Sequence, residues 1–202
     1  MAFGKGWRGY GAVDSPIGLA ALLAARSCGA RMIYVGVHHP PELANTAYVA
    51  AHERVVAAMT RDDCVVRATG FYSAFHALLP MARRGFLVDV GNGRARTNPI
   101  DERDLADVVV DAALGNAREI SAGGPEVMTR QEIFERVAKL ANRHVRTVRT
   151  PVWLGRLGAT LLRPIHPRIA QFAAFACGLA NHDVIAPILG TRRFADCATL
   201  AA

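Results

Sequence analysis

The sequence predicts an α/β fold in which a parallel sheet is covered by helices and followed by a mostly helical carboxy-terminal lobe. Three observations carry this expectation. From residue 14 to residue 83, segments alternate as helix, strand, helix, strand, helix, which is the order a parallel sheet with crossover helices requires. The strand-like runs are short and apolar, as suits strands buried within a layered sheet. After Gly85 the texture changes to glycine turns, then to helices rich in Ala and Leu.

Each element has a local cause. Asp14 or Ser15 can cap a first helix that begins at Pro16, a favoured first-turn position, and Gly29 can stop it after Cys28. Arg31 to Val37 (RMIYVGV) reads as a buried strand, ended by His38-His39-Pro40-Pro41. A second helix over Thr46 to Met59 places Tyr48, Val49, His52, Val55, Val56 and Met59 at helical spacing on one side. Cys64 to Ala68 is the next strand, and the turn Thr69-Gly70-Phe71 leads into a helix over Ser73 to Arg83. Beyond Gly85, Phe86 to Val90 and Asn98-Pro99-Ile100 are extended. Asp101 caps a helix over Arg103 to Leu114. Arg118 to Ser121 is a short strand. Thr129 caps a helix carrying Ile133, Phe134, Val137 and Leu140. Val145 to Val148 is extended, Pro151 opens an apolar helix, and residues 168 to 181 form another. The expected division is a glycine-rich flexible tail over 1–13, a sheet domain over 14–150 and a helical region over 151–202.

Composition narrows the function classes. With 51% apolar and 20% charged residues in 202, the chain can bury a core, and disorder is excluded as its main state. No apolar run reaches the roughly 18 residues that suggest a membrane span. The densest stretch, Ile169 to Ala180, is interrupted by Gln171. The opening MAFGKGWRGYG has no hydrophobic segment of the secretory kind. The net charge of +7 comes mostly from arginine, Lys5 and Lys139 being the only lysines. The arginines are scattered, with Arg83–Arg84 and Arg192–Arg193 the only adjacent pairs. That pattern argues against nucleic acid, whose binders cluster basic and aromatic residues on one face, while leaving anionic small molecules open. Cys28, Cys64, Cys177 and Cys197 stand far apart without a C-x-x-C, so reduced thiols in a cytoplasm are expected. His38–His39 have no third ligand at metal spacing, and no metal site is expected.

Two groups of residues point to chemistry. Val35-Gly36-Val37-His38 and Arg67-Ala68-Thr69-Gly70-Phe71 each end a strand, and ligands of open α/β sheets sit beyond the carboxyl ends of strands. If the two strands are parallel neighbours, these loops lie side by side and form a binding cleft; otherwise they are ordinary connecting turns. Tyr48 and His52, four residues apart, share a helix face. A phenol acting in proton relay benefits from a nearby cation, whereas the plain alternative is packing around a core histidine. Gly4-Lys5-Gly6-Trp7-Arg8-Gly9 matches G-x-G-x-x-G, but only Met1-Ala2-Phe3 precede it, too short for the strand that a phosphate-binding turn follows. Carboxylates Asp101 and Asp104 suit a helix amino terminus, and His166 and His182 read as surface or packing residues.

The runs DSPIGLAALLAARSCGARMIYVGV, YVAAHERVV and VVRATGFYSAF, followed by GNGRARTNPIDERDLADVVVDA and AGGPEVMTRQEIF, are similar to the later part of NAD(P)-binding Rossmann domains. The group they most resemble is the NmrA-like atypical short-chain dehydrogenase/reductases, over about Asp14 to Leu154. The resemblance implies a partial Rossmann-like sheet, made of the later strands only, and an NAD(P) cofactor. It implies that Val35, Gly36, His52, Ala68, Thr69, Gly70 and Phe71 line the cofactor cleft. It places Tyr48 at the catalytic tyrosine and His52 where the family usually has a ribose-holding lysine. A small carbonyl or quinone-like substrate follows, with the carboxy-terminal helices holding it. The alternative implied is a non-catalytic remnant or a redox-sensing regulatory module. Gly36, Val37 and His38 stand where a catalytic serine is usual. The family's first strand, phosphate loop and next strand–helix units have no counterpart before Asp14. An open edge along Arg31 to Val37, and self-association through it, are therefore expected.

Overall fold

A computed structural model describes residues 7–195. The first helix, α1 (Tyr10–Ser27), starts six residues before Pro16, which lies inside it. Pro16 is exposed on the helix surface, where it costs α1 one internal hydrogen bond. The Tyr10 ring packs edge-on against Tyr48 and lies 4.1 Å from the Arg168 guanidinium, and Asp14 forms an ion pair with Arg168. Tertiary contacts thus extend the helix into residues 10–13, which the sequence reading placed in a flexible tail. Gly29, at φ +66°, ends the helix region as expected.

The chain then builds β1 (Ile33–Val37), a 3₁₀ turn (Pro41–Leu43), α2 (Ala47–Ala58) and β2 (Cys64–Ala68). The expected single helix after β2 is two short ones, α3 (Tyr72–His76) and α4 (Leu79–Arg83). Pro80 causes the break, because it lacks the amide proton that a continuous helix would need there; it fits instead in the first turn of α4. The remainder is β3 (Phe86–Val90), β4 (Arg96–Thr97), α5 (Glu102–Leu114), β5 (Glu119–Ala122), β6 (Met128–Thr129), α6 (Arg130–Leu140), β7 (Arg146–Thr150), α7 (Val152–Leu162) and α8 (Pro167–Leu179).

The main sheet is parallel with order β1-β2-β5. Its register pairs Val37 with Ala68 and Ala68 with Ala122, so the three strands end level. Alternation sends Cys64, Val66, Ala68 and Ala122 to one face, where they pack with Ile100, Leu105, Val108 and Ala112 around α5. The opposite face carries Tyr34 and Arg67, which meet His52 and Glu53 of α2. α1 lies against α2, and at that crossing a Cβ on Gly18 would stand 2.6 Å from Val55 Cγ2. Among the described residues β1 has no strand on its outer edge.

A second parallel pair, β3 with β7, and a short antiparallel pair, β4 with β6, lie outside the main sheet. Around them Tyr72, Leu79, Leu87, Met128, Ile133, Phe134 and Phe194 form a separate core. After residue 150 the two expected helices, α7 and α8, are present. Beyond α8 the chain runs back in extended form, Val184 bridging Thr97 and Ile188 bridging Gly123. Side chains inside the fold explain this return. Asn98, fully buried, bonds both the amide and the carbonyl of Ala186, and Asp104 accepts from the amides of Thr191 and Arg192. Asp104 therefore does more than complement a helix dipole, whereas Asp101 caps α5 as expected.

Candidate functional site

Beyond the carboxyl ends of β1 and β2 lies a cavity of about 260 Å³. Gly36 and Val37 border it from β1, Ala68 to Phe71 from β2 and its turn, and Tyr48 from α2. Phe172, Phe175, Ala176 and Leu179 of α8 form the opposite wall, while Phe75 and Phe134 come from the second core, Val88 and Val90 from β3 and Arg130 from the start of α6. The two strand-end loops do lie side by side, because β1 and β2 are adjacent and in level register.

The β2–α3 turn is held rigidly. The Thr69 amide donates to the Ala122 carbonyl at 3.2 Å, and its hydroxyl donates to the Asn98 carbonyl at 2.6 Å. Ile100 donates its amide to the Gly70 carbonyl at 2.9 Å. Gly70 has φ +146°, a conformation that a side chain would strain, and a Cβ there would meet nothing within 4 Å. This turn therefore presents bare backbone to open space. That is the kind of surface on which a planar ring with a polar substituent can rest.

Six sequence-predicted site residues border the cavity: Gly36, Tyr48, Ala68, Thr69, Gly70 and Phe71. Val35 does not. It packs with the core under α5, because strand alternation turns it to that face. His52 does not border the cavity either. Its Nδ1 is 2.8 Å from the Tyr34 hydroxyl, and its ring stands 5.1 Å from that of Tyr48. Burial holds the His52 imidazole below the ordinary histidine range, so it is neutral near pH 7 and is not the cation a phenol relay uses. Burial likewise pushes the Tyr48 hydroxyl well above the usual tyrosine range and Tyr34 up to about 12. Tyr48 is thus a neutral phenol.

Of the glycine-rich run Gly4 to Gly9, residues 4–6 lie outside the described residues. Gly9 precedes α1, and among the described residues no strand precedes that helix. His38 contacts Ser121 through Nδ1 at 3.2 Å, and His39 lies 3.5 Å from Glu53. Among the described residues no group of His, Cys, Asp and Glu side chains could hold a metal ion.

Sequence reasoning missed Arg130 and its neighbour Asp89. Arg130 Nε stands 3.6 Å from Asp89 Oδ1, beyond hydrogen-bond reach, and neither atom has another partner. Burial lowers the Arg130 affinity for its proton and raises that of Asp89, against their mutual attraction. One signal was available. Thr129 is a capping residue, so Arg130 falls at the first helical position, where the helix dipole disfavours a cation.

No family model matches the chain, and no curated protein sequence does. Solved structures do. The NADPH-dependent quinone oxidoreductase of Escherichia coli, solved with NADPH, superposes with a TM-score of 0.68 at 12% identity, over 92% of this chain and 71% of that one. The chain shares the fold of these Rossmann-like reductases. A second structure of the E. coli quinone oxidoreductase gives 0.60 at 15% identity, over 92% of this chain and 72% of that one. The UDP-glucose 4-epimerase of Thermus thermophilus, solved with NAD, gives 0.52 at 15% identity over 66% of this chain. This chain spans 56% of that epimerase's length. No helix of the described residues is long and apolar enough to cross a membrane.

Proposed function

We propose that this chain is an NAD(P)-linked oxidoreductase of the atypical short-chain dehydrogenase/reductase type, acting on a small carbonyl or quinone-like compound. The observation that carries the proposal is the cavity itself. It opens at the level ends of two adjacent parallel strands, where open α/β sheets bind ligands, and α8 closes it with aromatic side chains. The open backbone at Gly70 suits the nicotinamide end of the cofactor, with Gly36, Ala68, Thr69 and Phe71 beside it. When bound, the cofactor supplies or accepts a hydride.

The chain's own residues would do the rest. Phe172 and Phe175 hold the substrate's apolar body and keep water out. Tyr48, a protonated phenol at neutral pH, donates a hydrogen bond to the substrate oxygen and passes its proton as negative charge develops there. With a simple carbonyl the alkoxide formed is a stronger base than a phenolate, so the raised affinity of Tyr48 for its proton does not prevent transfer; with a quinone the product is itself a phenolate, and Tyr48 stabilises it by donating a hydrogen bond while solvent supplies the proton. His52 supports Tyr48 by packing.

Fluorescence titration with NADPH tests the reading; micromolar affinity is expected, and no binding at millimolar NADPH would end it. In NADPH oxidation with a soluble naphthoquinone, Tyr48→Phe is expected to lower kcat by about tenfold or more at unchanged NADPH affinity. A second reading, cofactor sensing without turnover, is favoured by one observation: α2 contains no lysine, and His52 faces Tyr34. NADPH binding without oxidation by any quinone would select it.

A further inference from the structure

We propose that the cavity selects an aromatic ligand bearing an anionic oxygen, and that Arg130 is the specificity-determining residue that holds this oxygen. The proposal rests on the reading of the cavity as the substrate side of the site. Its walls are aromatic: Tyr48, Phe71, Phe75, Phe134, Phe172 and Phe175. Among the described lining residues Arg130 is the one charged side chain. A guanidinium in such surroundings is costly unless its donors are used.

Here Nε has no hydrogen-bond partner, and the ion pair with Asp89 is long. Asp89, the nearest carboxylate, is fully buried, yet its Oδ1 is 3.6 Å from Arg130 Nε. Both atoms are buried without a hydrogen bond. Where this protein needs a closed ion pair it makes one. Arg168 grips Asp14 with two prongs, Nη1 to Oδ2 at 2.7 Å and Nη2 to Oδ1 at 3.1 Å. The Arg130–Asp89 pair has instead been left loose beside a cavity. Asp89 keeps the cation tolerable within the fold, while the guanidinium, with Nε unbonded, keeps donor capacity for a ligand. A carboxylate or similar oxygen pair matches a guanidinium with two parallel hydrogen bonds. The size of the cavity, about 260 Å³, is below the roughly 300–1,000 Å³ of ordinary small-molecule sites, which favours one or two fused rings over a larger skeleton.

The test uses the full chain, isothermal calorimetry at neutral pH, and two probes of equal shape, 2-naphthoate and 2-naphthamide. Naphthoate is expected to bind about tenfold or more tightly than the amide, the range of a charge-assisted hydrogen-bond pair. Arg130→Met should bring the two affinities together while leaving that of the amide unchanged. That variant strands a buried carboxylate and can fail to fold, so Asp89→Asn is the second arm. It removes the competing carboxylate and should strengthen naphthoate binding but not amide binding, a gain that a purely structural pair would not produce. Equal affinities for the two probes, no binding of either, or an Asp89→Asn variant with unchanged or weaker naphthoate binding would overturn the proposal. Because no NADPH is present, selective naphthoate binding by a chain that fails the NADPH titration would sink the dehydrogenase reading and leave this one standing.

Discussion

Replacing Asn98 tests whether the binding turn and the returning carboxy-terminal segment are held by one buried amide. Asn98 Nδ2 donates to the carbonyls of Ala186 and Gly124 at 2.9 and 3.2 Å, and Oδ1 accepts the Ala186 amide at 3.0 Å. The side chain is completely buried. Asn98→Ala leaves three backbone groups without these partners. At about 1–3 kcal/mol for each buried orphan, offset where water enters the space, the expected loss is about 3–5 kcal/mol. For a domain of this size that corresponds to a fall in Tm of roughly 6–20 °C, read by thermal melting or urea denaturation. Asn98→Asp separates hydrogen bonding from packing. The introduced carboxylate is nearly isosteric but points an acceptor at two carbonyls, so at pH 7 it should be at least as damaging as Ala. Its carboxyl is then raised in the folded state above the unfolded value of about 3.9. The sign follows: relative to the wild type, stability is regained as pH falls toward 4 and lost as pH rises through the folded value. A loss under about 1 kcal/mol for Asn98→Ala, or wild-type stability for Asn98→Asp at neutral pH, would refute the reasoning.

Three other outcomes are expected. Gly18→Ala should destabilise by about 1–3 kcal/mol in urea despite alanine's better helix propensity, because its Cβ would fall 2.6 Å from Val55 Cγ2; adding Val55→Ala should restore most of the loss. Burial alone would raise the Asp63 carboxyl, but the amides of Thr60 and Met32 and the Thr60 hydroxyl hold it below the usual range. Its stabilisation is therefore present above about pH 4 and fades as pH falls through the lower folded value, so the Tm difference between wild type and Asp63→Asn should narrow below pH 4. Self-association through the outer edge of β1 predicts size-exclusion elution that depends on concentration; a monomer at every concentration tested would contradict it.

The sequence by itself determined the order of the elements and much of the cleft. β2 over Cys64–Ala68 and β3 over Phe86–Val90 were legible because strand ends coincide with changes of polarity and with Gly70 and Gly91. The pairing of the two strand-end loops followed from parallel alternation, whose handed crossovers leave few arrangements. Caps at Asp101 and Thr129 were legible because capping is local chemistry between residues two or three apart. The tertiary structure decided whatever depends on groups distant in the chain. Tyr10 joins α1 only because Arg168 and Tyr48 wait for it, more than 35 residues away at the nearest. Val35 leaves the cleft because pleating turns it toward α5, and His52 leaves it because Tyr34 supplies a closer partner. Arg130 enters because α6 opens beside the ends of β2 and α8. Periodicity records which side of an element is buried; it is silent on which other element does the burying, since that choice is made by packing across the fold.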